Sequence, residues 1–387
     1  MTKKIAFFGT KSFPSRGGSD RVAESIIRHL KDHYRFSVYC YRNPDAANHM
    51  EGVETVQFRE WLPGAPGSFI YFFLSALHLL FRRDIDLVHM HKTDPAFFLP
   101  ILKLRYPVIS TSQEAPYRRD KWNGVAKAYF RMAERMYIRW SDIATCIAEP
   151  LTSYYNDRYG SSVRFIPNGI NPPDPREYDH GRAAGYLPAG ASMDKPFLLF
   201  SARRLMSTKG THTMLEALHR VGYRNQVFIA GEIHEQDPYF QRLSKLAEGL
   251  NVHFLGFVHP LNTLLALVEK CELFVFPSEN EGMSLMLLEA SSVGKPIVAS
   301  DIPENRQVFR EDEVLYFRVS DVDDLAQKIT WALDHPEEMS VRAVRCRERV
   351  LRDFVMSRIS RQFQEGYEQL LAGEKPEKRS VIINSGD

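Results

Sequence analysis

The chain has 387 residues, 44% of them hydrophobic and 25% charged, which excludes disorder over most of its length and suggests two or three domains at roughly 150 residues each. Four cysteines (Cys40, Cys146, Cys271, Cys346) stand far apart with no CxxC pair, which argues against a disulfide framework and a cysteine-built zinc site. Net charge is +2, yet residues 1–175 carry 24 Lys+Arg against 17 Asp+Glu and the remainder 26 against 31, so two halves of opposite charge point to two domains with different partners.

Lys3–Phe8 is an apolar run ending at Gly9 and reads as a buried strand. The loop GTKSFPSRGGS leads into a helix from about Asp20 to His33, and Phe36–Tyr41 reads as a second strand. Phe69–Phe81 falls short of the ~20 apolar residues that a spanning helix needs; it reads as a buried or half-buried helix, or as an interfacial helix touching lipid. Asp86–Met90 and Val108–Ser112 are further strands with helical segments between. Such alternation builds a parallel, doubly wound sheet.

The stretch Asn168–Pro196 is rich in Pro, Gly and Asp and reads as a linker. The pattern then restarts: Phe197–Ser201, Gln226–Ala230, Val252–Leu255, Leu273–Pro277 and Pro296–Ala299 read as strands of a second α/β domain. From about Pro336 the chain turns to helical segments rich in Arg and Glu, and GEKPEKRSVIINSGD reads as a frayed tail. The N-terminus holds too short an apolar run for a signal peptide, so a reducing, cytoplasmic setting is expected. Without an RGG tract, zinc finger or lysine-rich tail, nucleic acid is not an expected partner.

Three loops carry candidate chemistry. SENEGMSLMLLE follows the strand LFVFP. Glu281 falls in the loop, Gly282 permits a sharp turn, Ser284 can cap the helix LMLLEASSV, and Glu289 lies more than a turn inside it. The N–H groups of Gly282, Met283, Ser284 and Leu285 would point out of that helix start and suit a diphosphate. A carboxylate beside them can accept hydrogen bonds from sugar hydroxyls. The bland alternative is a helix with an acidic N-cap region. SARRLMSTKG follows FLLFS, and its Arg204 and Lys209 would clamp a leaving diphosphate, or are simply solvated cations. In the loop after the first strand, Gly17 and Gly18 let a backbone approach a ligand closely. The loop lacks GxGxxG and its following acid, so it is a poor dinucleotide site.

Residues 118–140 hold seven Arg or Lys and two acids, interleaved with Trp122, Tyr129, Phe130, Tyr137 and Trp140. This basic, aromatic face, beginning at Arg118 and Arg119, suits anionic lipid headgroups or the pyrophosphate of a lipid-linked acceptor; the alternative is a solvated face with aromatics turned inward. The strings Asp84-Ile85-Asp86 and Asp321-Val322-Asp323 fall at a helix-to-strand turn and a helix start and read as structural, so no metal is expected.

On these residues the sequence resembles the retaining glycosyltransferases of glycosyltransferase family 4. PSENEGMSLMLLEASSVGKPIVASDIPENRQVF is similar to that family's E-x7-E signature and the strand after it. Arg204-Leu205 and Lys209-Gly210 resemble its donor phosphate pair, and FIPNGI, VFIAGE and FLGFV resemble further segments, in order from about Lys3 to Phe354. The resemblance implies the GT-B fold, two Rossmann-like domains facing across a cleft. Residues 1–175 would form the acceptor-side domain and 176–355 the nucleotide-sugar domain, with 356–387 crossing back as a helix plus tail. It implies that Glu281 contacts donor-sugar hydroxyls, that Glu289 holds the ribose, and that Arg204 and Lys209 neutralise the diphosphate without metal. Gly18 and its neighbours would close over the donor. No cofactor is implied beyond the nucleotide diphosphate sugar, which is a substrate.

The sequence departs from the family in two places. Gln113-Glu114 stand where many members carry a His, and Asn171 replaces an Asp. His89 and His91 end a strand; His91 is an acceptor-contact candidate or a structural histidine. QEAPYRRDKWNGVAKAYFRMAER resembles a subgroup of bacterial surface-polysaccharide and rhamnosyl transferases. The expectation is hexosyl or deoxyhexosyl transfer with retention to a lipid-linked glycan at the cytoplasmic membrane face. The rivals are a GT-B nucleotide-sugar epimerase and a non-catalytic partner subunit.

Overall fold

The computed structural model describes residues 2–15, 17–43, 50–115 and 123–374. Among the described residues, thirteen strands form two sheets. The first contains β1 (Lys4–Phe8), β2 (Arg35–Tyr41), β3 (Val53–Phe58), β4 (Leu87–His91), β5 (Val108–Ser112), β6 (Ile143–Cys146) and β7 (Arg164–Phe165), in the order β3-β2-β1-β4-β5-β6-β7. The second contains β8 (Phe197–Arg204), β9 (Gln226–Glu232), β10 (Val252–Gly256), β11 (Leu273–Phe276), β12 (Ile297–Ser300) and β13 (Leu315–Phe317), in the order β10-β9-β8-β11-β12-β13. Every pairing is parallel. Helices cover both faces, so the central strands are apolar along their whole length: Ile5–Phe8, Phe197–Phe200 and Leu273–Phe276 are buried. Strand order reverses beside the first strand of each sheet, between β1 and β4 and between β8 and β11. Such reversals place ligand crevices at the carboxyl ends of those strands.

The two sheets belong to separate units: residues to Gly169 with those from Met356 onward, and Ile170–Val355. The division therefore falls six residues before the expected 175/176 boundary. In the second unit the two chain crossings run side by side, since Ile170 bridges Val355 and its N–H bonds the Phe354 carbonyl at 2.9 Å. The helix Met356–Leu371 packs in the first unit, where the Tyr367 hydroxyl lies 2.7 Å from His89 Nδ1.

The structure corrects the linker reading of Asn168–Pro196. Residues 170–196 belong to the second unit and are tied to it by specific bonds. His180 Nε2 lies 2.7 Å from Glu269, Asn262 Nδ2 donates to the Glu177 carbonyl at 2.9 Å, and Gln226 brackets Ser192 with two bonds. Asp174 and Asp179 cap the short helical turns there, so turn-forming residues serve a fixed strap. A second correction concerns the apolar segment near residue 69. It is an 18-residue helix, Gly64–Phe81, long and apolar enough by length and composition to cross a membrane, with 33% of it buried. The frayed-tail reading of the last thirteen residues, 375–387, lies outside the described residues.

Candidate active site

In the second unit, the loop after β8 and the loop after β11 meet at the strand-order reversal. Ser207–Lys209 makes one 3-10 turn, and Gly210 then takes φ 65°. A Cβ at Gly210 would sit 1.9 Å from the Pro277 carbonyl oxygen, so only glycine allows this approach. The Glu279 N–H donates to the Thr208 carbonyl at 2.9 Å, locking the two loops together. Lys209 Nζ thereby reaches Glu281 Oε1 at 2.7 Å, with the two side chains only 20% and 11% exposed. Glu281 precedes the helix Leu285–Val293, which is capped by Ser284 Oγ accepting from the Leu287 N–H at 3.2 Å. Gly282 forms the turn, Met283 and Leu285 are buried beside the cap, and Glu289 lies buried in the second helical turn.

Behind this pair stands a group that sequence reading missed. His212 Nε2 is 3.6 Å from Glu279, and its Nδ1 is 3.0 Å from the Tyr239 hydroxyl. Burial, with Arg242 nearby, pulls the His212 imidazole below its ordinary range. The neutral ring buttresses the Glu279 loop. The only available sequence signal was a His at the start of the helix after Lys209-Gly210.

Arg204 does not join the Lys209–Glu281 pair. It ends β8 opposite Glu232 at the end of β9, and its Nε donates to Glu232 at 2.9 Å from a largely exposed position. The register of β8 on β9 assigns it this partner.

In the first unit, the corresponding reversal gathers Gly17, Gly18, His91 and Gln113. Gly17 is the N-cap and Gly18 the first residue of the helix Gly18–Leu30. His91 ends β4, and its Nε2 lies 2.7 Å from the Ser19 carbonyl and 3.2 Å from Gln113 Nε2. Its ring is wholly buried, and burial followed by the Lys92 charge pushes its pKa down to about 4. His91 in this structure is buried and positions the helix start, which favours the structural histidine of the two readings over the acceptor contact. His89 is likewise buried, bonded between Tyr367 and Thr111. Glu114 follows Gln113 at the end of β5, half-buried. The candidates Arg118 and Arg119 lie outside the described residues.

The same place holds a second lysine–carboxylate pair that the sequence did not reveal. Lys92 Nζ is 2.7 Å from Asp20, both side chains nearly buried, and Asp20 also accepts from the Ser12 N–H and hydroxyl. Burial is the largest single influence on Asp20 and opposes its charge, but Lys92, the Ser12 hydrogen bond and His91 together hold the carboxyl below its usual range. Lys92 takes φ 123°, a strained value for a non-glycine residue that its ion pair and its N–H bond to the Thr111 carbonyl sustain.

The two DxD strings do structural work: Asp84 and Asp86 bind Lys4, Arg82 and Lys3, Asp321 caps the helix Val322–Asp334, and Asp323 pairs with Arg220.

Two doubly wound parallel sheets of this order define the GT-B fold. HepE of Anabaena, solved with UDP and glucose, superposes with a TM-score of 0.76 at 17% identity, covering 95% of this chain and 100% of that one. Two family models match the sequence, Glycosyltransferase Family 4 over residues 16–173 and Glycosyl transferases group 1 over residues 188–348. The chain belongs to the GT-B glycosyltransferases of the family 4 type. Glycogen synthase of Mycobacterium tuberculosis is 27% identical over 314 residues, 77% of this chain and 72% of that protein. The N,N'-diacetylbacillosaminyl-diphospho-undecaprenol alpha-1,3-N-acetylgalactosaminyltransferase of Campylobacter jejuni is 30% identical over 142 residues, 36% of each chain.

Proposed function

We propose that the protein transfers a hexosyl or deoxyhexosyl group, with retention and without a required metal, from a nucleotide diphosphate sugar to a lipid-linked glycan in bacterial surface-polysaccharide assembly, working at the cytoplasmic face of the membrane. The observation that carries this reading is the Lys209–Glu281 pair beside the capped start of the helix Leu285–Val293. A cation, a carboxylate and a helix N-terminus at one strand-order reversal suit a sugar diphosphate. Lys209 would turn to the diphosphate as charge develops on the leaving group, the helix start would hold the other oxygens, and Glu281 would accept sugar hydroxyls. Glu289, one turn further in, would hold the ribose. UDP and glucose in HepE and the undecaprenol-linked acceptor named for the Campylobacter relative support the donor and acceptor classes.

A thermal-shift panel of UDP, dTDP, GDP and their sugars, each with and without EDTA, tests it. Ligand binding to the folded state raises the melting temperature with the excess of ligand over Kd. One nucleotide should stabilise the protein, with EDTA making no difference. No shift with any nucleotide would move the reading to the non-catalytic partner. Consumption of a nucleotide sugar without acceptor, giving its epimer, would favour the epimerase.

A further inference from the structure

Ten of the fifteen exposed large apolar side chains among the described residues lie between Trp61 and Met132. They gather on the first unit. The helix Gly64–Phe81 contains no charged residue at all. Its inner side, including Tyr71, Phe72, Ala76 and Leu79, is buried. Its outer side is also apolar: Phe69, Phe73, Leu77 and Phe81 recur every fourth residue, form one stripe, and are exposed, Phe81 to 77%. A helix covered by water on that side would carry polar residues there.

Neighbouring helices extend the stripe and supply charge. The Phe69 ring is 5.3 Å from Phe98 and 6.3 Å from Tyr129 of the helix Gly124–Trp140. The Arg105 guanidinium donates to the Leu80 carbonyl near the end of the helix Gly64–Phe81 at 2.6 Å, and the adjoining Leu104 is 84% exposed. On Gly124–Trp140 the exposed charges are all basic: Arg131, Arg135 and Arg139, again every fourth residue. The single acid of that helix, Glu134, is buried and accepts from the Tyr159 hydroxyl at 2.6 Å.

We propose that this face docks on an anionic phospholipid bilayer, with Phe73, Leu77 and Phe81 in the acyl boundary and Arg131, Arg135 and Arg139 on the phosphates. An apolar stripe beside a cationic stripe is the pattern of a helix lying in the interface. A second copy of the chain fits less well, because a two-fold contact would set one arginine row near another. The surface deepens the acceptor reading, since it would hold the enzyme at the plane where a lipid-linked saccharide presents its sugar, and it rests on that reading for its purpose.

The experiment is co-sedimentation of the full chain with vesicles of phosphatidylcholine alone and of phosphatidylcholine mixed with phosphatidylglycerol. The wild type should pellet with the mixed vesicles and not with the neutral ones. Each arginine near a charged surface is worth about a fivefold change in affinity, so Arg131→Glu with Arg135→Glu should weaken binding by at least about 25-fold. Phe73→Gln with Phe81→Gln should weaken it by about tenfold or more. Val341→Gln, at an exposed apolar position of the other unit, should change nothing. All variants should keep the wild-type melting temperature and the nucleotide-induced shift. Failure of the wild type to pellet with anionic vesicles overturns the proposal, as does binding that both double variants retain. Self-association abolished by Phe81→Gln, with no vesicle binding, also overturns it and assigns the face to a second copy. Vesicle binding without any nucleotide shift supports the docking surface while sinking the donor reading, so the two failures are distinguishable.

Discussion

Replacing Lys209 by Met removes the cation 2.7 Å from Glu281 Oε1, and two consequences separate. The first concerns stability. With side chains 20% and 11% exposed, the pair lies between surface ion pairs, worth up to about 1 kcal/mol, and buried ones, whose breakage costs about 3–5 kcal/mol. A loss of about 2 kcal/mol follows. In a domain the size of Ile170–Val355 this lowers the melting temperature by about 4–8 °C. The second concerns turnover. Withdrawing one preorganised charge partner from a developing oxyanion typically costs about 10²–10³ in kcat. The charge-swapped protein, Lys209→Glu with Glu281→Lys, separates the two. It restores an ion pair and should recover most of the melting temperature, but it puts a carboxylate where the diphosphate needs a cation and should stay inactive. The assay is nucleotide release from the donor named by the thermal-shift panel, read beside calorimetric melting. Wild-type turnover in Lys209→Met, whatever its stability, would refute the assignment of Lys209 to the diphosphate.

Gly210→Ala places a Cβ 1.9 Å from the Pro277 carbonyl oxygen at a φ of 65°; it should cost several kcal/mol, of order 3 or more, and abolish turnover by parting the two loops, as melting and activity together would show. Tyr367→Phe strips buried His89 Nδ1 of its partner, a loss of about 1–3 kcal/mol that denaturant titration should assign to the first unit. Stability should also fall as pH drops from about 6.5 to about 4. Burial keeps His91 neutral down to about 4 and holds His89 well below its ordinary range, whereas the unfolded chain takes up these protons near 6.5. His91→Gln should flatten that slope, and an unchanged pH profile would contradict the burial argument.

Much of this architecture is legible in the residues. The central strands announce themselves as apolar runs because both sheet faces are covered, and the Ser284 cap is readable from a hydroxyl placed just before LMLLEASSV. The misses have physical causes. The edge strand β3, VETVQF, is mostly half-buried, and Glu54, Thr55 and Gln57 break up its apolar run. The four-residue β6 turns Thr145 inward, where it meets Thr111 at 2.8 Å, so polar side chains lie inside a buried strand. For His91 the sequence leaves an acceptor contact and a structural histidine both open, and it does not show that a sheet covered on both faces buries the ends of its central strands too. Lys209 and Glu281 stand out individually, but they are 72 residues apart. Their contact exists because β11 crosses back to lie beside β8, and local sequence does not encode that crossover.

The two strand-order reversals use one device to opposite ends. Each sets a lysine against a carboxylate from the neighbouring connection: Lys92, after β4, with Asp20 in the first turn of the helix Gly18–Leu30, and Lys209, after β8, with Glu281, after β11. Asp20 is saturated. Lys92, the Ser12 hydroxyl and the Ser12 N–H all donate to it within 3.1 Å, and the Lys11 N–H lies at 3.4 Å. A ligand that displaced it would strand several buried donors, each costing about 1–3 kcal/mol, so this carboxylate is a latch for the loop after β1. Lys209 and Glu281 share a single bond whose opening costs about 2 kcal/mol on the reasoning above, within reach of a bound diphosphate and sugar hydroxyls. The difference is measurable by isosteric neutralisation. Asp20→Asn should lose about 3 kcal/mol or more of stability, because it leaves Lys92 buried and unpaired. Glu281→Gln should lose far less stability and most of its turnover. If Glu281→Gln were the less stable of the two and the more active, the roles of the two reversals would have to be exchanged.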